Sequence, residues 1–193
     1  AQGPLWAPGG DRGVYKTTDG GKTWKRVLYV DEWTGGNEVW FDPHDPEVLY
    51  AATYQRHRKE WTLIDGGPGS GVWKSTDGGE TWKKLAGGLP TEDMGKIGLT
   101  LPKTEPNAIV AVIEAANGKS GMYRSNDAGA NWEKISDTVS GSPQYYNELF
   151  SDPNVPGRLY LVDTFLQTSD DGGRTWRRAG EKNKHVDNHL VWV

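Results

Sequence analysis

"KSTDGGETWKKL", residues 74–85, decides the fold. Two adjacent glycines sit in a hydrophilic turn, short alternating stretches flank it, and a tryptophan follows. Three close copies stand elsewhere in the chain: "KTTDGGKTWKRV" (16–27), "RSNDAGANWEKI" (124–135) and "QTSDDGGRTWRRA" (167–179). Aligned on Asp19, Asp77, Asp127 and Asp171, the copies stand 58, 50 and 44 residues apart. Self-similarity at this period marks a propeller, solenoid or array. Period-2 alternation on both sides of a glycine-rich turn predicts a β-hairpin.

Each position of the repeat has a physical task. Thr17, Ser75, Ser125 and Ser169 offer a hydroxyl, and the aspartates offer a carboxylate two residues later. Both accept hydrogen bonds from N–H groups that a tight turn leaves unpaired. Gly21, Gly79, Gly129 and Gly173 reach positive φ without a Cβ clash. Trp24, Trp82, Trp132 and Trp176 are expected to bury a large ring beneath the turn, worth roughly a few kcal/mol each by area. The aspartates therefore read as staples. A calcium loop needs more oxygen ligands than one carboxylate per turn.

The pattern S/T-x-D-x-G-x-T-W resembles the Asp-box, or BNR repeat, of sialidases, two-propeller xyloglucanases, sortilin-type VPS10 receptors and secreted bacterial glycosyl hydrolase-like repeat proteins. The third copy departs from it at Ala128 and Asn131. "GPLWAPGGDRGVYKTTDGGKTW", "GGPGSGVWKSTDGGETW" and "HVDNH" extend the likeness to bacterial VPS10/BNR repeat proteins over nearly the whole chain. The resemblance implies an all-β propeller of four-stranded antiparallel blades with Asp-box C–D hairpins, in a longer exported chain or assembly. An extracytoplasmic location (secreted, periplasmic or cell-surface) is expected on that resemblance alone.

A second repeat supports the blades. "FDPHDPEVLYAAT" (41–53), "LPKTEPNAIVAVI" (101–113) and "SDPNVPGRLYLVD" (151–163) each place a Pro-x-x-Pro-like turn between two apolar strands, where proline excludes strand interior. Blades are expected at about 37–86, 97–136 and 145–179, after an incomplete blade in 1–28, with 188–193 as the first strand of a further one. In the second blade the strands fall at 37–42, 48–55, 71–76 and 81–86. Two arrangements fit one propeller segment over 1–193: a partial ring, or a four-bladed ring closed by pairing 188–193 with 13–28.

The bulk numbers suit this. The chain has 26 glycines, 11 prolines and 10 tryptophans, a composition for short strands and tight turns. A net charge of −4 gives no electrostatic case for nucleic acid. No apolar run is long enough to span a membrane. The absence of cysteine excludes disulfides and thiolate chemistry. No motif asks for a cofactor.

In an up-and-down blade the Asp-boxes and proline turns share one edge, and the B–C loops and inter-blade connectors share the other. Those loops vary in length, as binding loops on a rigid scaffold do. The longest, 56–70, is expected to be a loop carrying Arg56, His57, Arg58, Trp61 and Asp65, with Asp31, Glu32 and Trp33 on the preceding connector. Tyr145 and Tyr146 stand at the start of an inner strand. His185, Asp187 and His189 alternate on one side of an extended segment, where a polar channel rim is the expected role rather than a metal site.

A protein or peptide is the expected partner, with carbohydrate the second ligand class. No GxSxG, P-loop or HExxH motif is present, and no catalytic residue can be assigned. The rival reading is a xyloglucanase- or sialidase-like glycoside hydrolase using two loop-face carboxylates.

Overall fold

The computed structural model describes residues 1–193, and its regular elements are all strands. The first sheet pairs β1 (Val14–Lys16) with β2 (Lys25–Leu28). Next come β3 (Thr34–Phe41), β4 (Leu49–Lys59), β5 (Thr62–Asp65), β6 (Gly71–Ser75) and β7 (Lys83–Lys84). Here β3, β4, β6 and β7 are neighbours in that order, and β5 pairs with the far end of β4. The third sheet runs β8 (Met94–Thr100), β9 (Ile109–Ala115), β10 (Gly121–Ser125), β11 (Glu133–Ser136). The fourth runs β12 (Glu148–Ser151), β13 (Leu159–Val162), β14 (Gln167–Ser169), β15 (Arg177–Arg178). Every pairing is antiparallel and the sheets do not close into a ring.

Alternation explains the stacking of the sheets. On β9, Ile109, Ala111 and Ile113 join a core with Tyr50, Ala52 and Val72 of the second sheet. Val110 and Val112, on the opposite face, join Leu149, Leu159 and Leu161 of the fourth. A strand covered on both faces is apolar at every position, and IVAVI is that strand. A smaller cluster of Val14, Leu28 and Ala51 joins the first sheet to the second.

The repeated turns are closed by the same local bonds. The Ser75 hydroxyl donates to Asp77 Oδ1 (2.8 Å) and accepts Gly79 N–H (2.9 Å). Asp77 accepts Thr81 N–H (2.9 Å) and the Thr81 hydroxyl (2.6 Å). Trp82 Nε1 donates to Gly79 O (3.1 Å). The turns at Asp19 and Asp171 repeat the set. In the third, Asn131 Nδ2 reaches Asp127 Oδ2 (2.7 Å) in place of the threonine hydroxyl, and Ala128 takes φ +54°. Hydrogen bonds from the residue four positions on hold all four aspartate carboxyls down to about 2.

Three of these turns also grip the proline turn of their own sheet. Gly78 N–H donates to Glu47 O, Ala128 N–H to Asn107 O and Gly172 N–H to Gly157 O, at 2.8–2.9 Å. Asp-boxes and proline turns therefore lie on one edge, leaving the connectors on the other.

Four expectations change. Trp24 is 60% exposed, whereas Trp132 is 6% exposed. Each box tryptophan packs toward the preceding sheet, as Trp132 does against Tyr50 and Val72 and Trp82 against the Val14 cluster, and no sheet lies on that side of Trp24. Residues 56–70 are not a plain loop: β4 continues to Lys59, turns at Glu60 and Trp61, and returns as β5. The β-branched Thr62 and Ile64 favour that return. Residues 188–193 form no strand. The Asp187 and Asn188 N–H groups bond Thr164 O and Asp163 O instead, and no neighbouring backbone completes a ladder beyond them. With no pairing of 188–193 to 13–28, the closed four-bladed ring is ruled out for this chain's fold.

Candidate functional site

The connector edge carries a built cluster around Trp33 and the β4–β5 hairpin. Asp31 Oδ1 accepts Trp33 N–H (2.7 Å), a local turn that fixes the tryptophan backbone. The Trp33 ring lies against the His57 imidazole, with centroids 4.3 Å apart and planes inclined by 40°. Trp33 O accepts Arg56 N–H (3.4 Å). Arg56 faces Asp65 across the β4–β5 ladder, its guanidinium lies 5.3 Å from the Tyr54 ring centroid, and it donates to Gln2 Oε1. Tyr54 is buried and donates its hydroxyl to Asp65 Oδ1. Desolvation, then the Asp65 carboxylate, push that phenol upward.

Trp61, at the tip of the β4–β5 hairpin, is 79% exposed, with the Lys59 ammonium 5.9 Å from its ring centroid. Arg58 half-emerges from β4; its N–H donates to Leu5 O (2.9 Å). Glu32 is exposed, and its carbonyl accepts Gly9 N–H (2.7 Å). Asp31, Trp33, Arg56, His57 and Asp65 thus form one neighbourhood, extended outward by Arg58 and Trp61.

A second group forms elsewhere. The Tyr146 hydroxyl donates to Asp187 Oδ1 (2.6 Å), and its ring stacks on His189 at 5.2 Å. His189 Nε2 lies 3.1 Å from the same Asp187 oxygen. The Tyr146 hydrogen bond, helped by His189, holds the Asp187 carboxyl below its ordinary range. His185 contacts Val186 O (2.5 Å) rather than joining them, and Tyr145 is exposed. No set of three histidine or carboxylate side chains has metal-holding geometry.

Sequence reasoning passed over an inner, charged layer. Glu38 on β3 accepts Leu99 N–H (2.8 Å) and Trp40 Nε1–H (3.1 Å), and burial pushes its carboxyl up to about 7. Glu114 on β9 accepts Lys96 N–H (3.1 Å); burial, with Asp65 adding repulsion, pushes it to about 7 as well. Lys96 is buried and pairs with Glu148 Oε1 at 2.9 Å. One signal was available: Lys96 is the lone charge in the run MGKIGLT. Arg12 was missed too. It is fully buried, and its guanidinium donates to the carbonyls of Gln2, Pro4, Ala7, Gly9 and Trp33, tying residues 1–12 to the Trp33 connector.

Comparisons with known proteins agree on architecture. An ancestral GH74 enzyme superposes with a TM-score of 0.59 over 89% of this chain and 22% of its own, at 18% identity. A GH74 enzyme from Niastella koreensis gives 0.61 over 85% and 26%, also at 18% identity. This chain thus spans about a quarter of their length, and at that identity the likeness concerns the fold alone. YCF48 bound to D1 peptide aligns over 78% of this chain and 41% of its own, at 15% identity and a TM-score of 0.49, too distant to bear on the site. No curated protein matches the chain. No helix is long and apolar enough to cross a membrane. The BNR/Asp-box repeat model matches residues 167–178. The model described as "Sortilin, neurotensin receptor 3" matches residues 12–155, most of the chain, and with four Asp-box hairpins on open propeller sheets the protein belongs to the Sortilin-Vps10 family.

Proposed function

We propose that residues 1–193 form one propeller sector that binds a polypeptide on its connector edge and does not itself catalyse a reaction. The observation that carries this is the β4–β5 hairpin. It holds Trp61 in solvent at its tip with Lys59 beside the ring, while Trp33 lies against His57 farther back along the same strand, which also carries Arg56 and Arg58. Tryptophan offers a large contact area at low entropic cost, and arginine both stacks and bonds carbonyls or carboxylates. The Asp-boxes are structural in this reading, because each carboxylate is occupied by its own turn. The Tyr146–Asp187–His189 group is a polar rim on the same edge. An exported, extracytoplasmic setting accompanies the reading, as is general for Sortilin and BNR proteins.

One observation favours a second reading, glycoside hydrolysis. Burial, with repulsion from Asp65, holds Glu114 near 7, where a carboxyl can give a proton, and Asp65 is the second carboxylate such a pair requires. The two readings separate in one set of measurements on the 193-residue chain. A peptide array identifies a ligand, and titration calorimetry compares it with xyloglucan and sialyl oligosaccharides. The expected result is peptide binding that Trp61→Ala weakens about 30-fold or more, the size of a hot-spot truncation. Sugar turnover that Asp65→Asn or Glu114→Gln abolishes, without any peptide binding, overturns the proposal.

A further inference from the structure

Resting on the polypeptide reading of this same edge, we infer how the ligand is held: an extended acidic segment adds as a strand to the free edge of β5. The backbone directions lead there. Arg56 and Arg58 point their N–H groups away from β5, toward Trp33 O and Leu5 O. His57 and Lys59 therefore exchange ladder bonds with their partners Ile64 and Thr62. Leu63 and Asp65 must then point their backbone N–H and C=O groups outward, on the side of β5 away from β4. No strand pairs with that side of Leu63 and Asp65; the same side closes two residues on, where Gly67 N–H donates to Met94 O (3.0 Å), so the open stretch is Thr62–Asp65. An open strand edge is a template for a further strand.

Charge states what that strand should be. The chain carries a net −4, yet β4 presents Arg56, His57, Arg58 and Lys59 in succession. None of the four takes part in an ion pair. Of the hairpin's own acids, Asp65 stands opposite Arg56 and Glu60 sits at the tip beside Trp61, so His57, Arg58 and Lys59 face only Ile64, Leu63 and Thr62 across the ladder. A strand added to β5 lies about 10 Å from β4, two strand spacings. A glutamate reaching inward and an arginine or lysine reaching outward together close that gap. Arg58 serves one face of the ribbon, beside Leu63; Lys59 and His57 serve the other, beside Thr62 and the partly exposed Ile64. Alternate carboxylates along one extended segment all project to one face, so a Glu–Val segment meets the Arg58 row or the Lys59 and His57 row according to its register.

Fluorescence anisotropy with labelled decapeptides tests this on the 193-residue chain. The probes are an alternating Glu–Val peptide, its Lys–Val counterpart, a Ser–Val counterpart, and the Glu–Val peptide N-methylated at every second residue. The methyl groups remove strand donors without altering the protein. The Glu–Val peptide is expected to bind about tenfold or more tightly than the Lys–Val peptide, since mismatched charge across an interface is strongly disfavoured. N-methylation, and separately the double substitution Arg58→Glu/Lys59→Glu, should each weaken it by about tenfold. Equal binding of the methylated peptide removes the strand-addition mode, and equal binding of the Lys–Val or Ser–Val peptide removes the acidic preference. If those peptides bind and Trp61→Ala abolishes it, polypeptide binding stands while this inference falls. If no peptide of any charge binds, both fall together.

Discussion

Replacing Trp132 by alanine, beside the same change at Trp24, tests the physical core of this fold. Both residues occupy the same position of the same repeat and make the same indole bond to the turn, 3.1 Å to Gly129 O and to Gly21 O. They differ in what lies behind the ring. A tryptophan buries roughly 150–250 Å2 when enclosed, which at about 25 cal/mol per Å2 is about 4–6 kcal/mol. Trp132, 6% exposed within the cluster joining the second and third sheets, keeps nearly all of it. Trp24, 60% exposed, keeps less than half. Trp132→Ala should therefore destabilise by about 4 kcal/mol, within the usual span for losing a core aromatic. Trp24→Ala should cost about 1–2 kcal/mol, its remaining contact area. Urea unfolding followed by far-UV circular dichroism reads both, with global fits because stacked repeats can unfold in stages. Equal losses would refute the argument, since they would place the energy in the turn rather than in the sheet–sheet interface.

Three further outcomes follow from particular groups. The Asp77 carboxyl is held at about 2 against an ordinary 3.8, so it stabilises the fold above about pH 4 and that contribution fades as pH falls toward 2; Asp77→Asn should flatten this acid limb in urea midpoints measured against pH. Glu38 behaves oppositely: raised from 4.5 to about 7, it binds its proton more tightly when folded, so stability should decline as pH rises across that window, and Glu38→Gln should remove the slope. Arg12→Ala strands five carbonyls that now share one guanidinium, so limited proteolysis should cut first within residues 1–12 and stability should drop by about 3 kcal/mol; an unchanged digest would show that the segment is held by other contacts.

The second group of aromatic and charged residues depends on distance along the chain. Tyr146 meets Asp187 across 41 positions. Period 2 in His185, Asp187 and His189 suggests one shared side, but Asp187 adopts φ +83° and the extended geometry is broken there. Trp33 and His57 likewise meet only because β3 and β4 pair, with a bulge between Gly36 and Glu38 that shifts the register.

What the amino-acid order determined by itself was whatever closes within a few residues. Thr17 to Gly21, Asp19 to Thr23 and Trp24 to Gly21 are bonds spanning three or four positions, so the turn, the hairpin and the repeat period can be read off the string. The apolar pairs of strands around the proline turns follow from alternation in the same way. Only the tertiary structure decided what depends on a neighbour: that Trp24 has no sheet behind it, that 56–65 doubles back as a ribbon, and that 188–193 joins no strand. It alone set the pKa of Glu38, whose acceptor role reaches Leu99, 61 residues away. Burial and ladder bonds belong to pairs of segments, and no window of sequence contains both members.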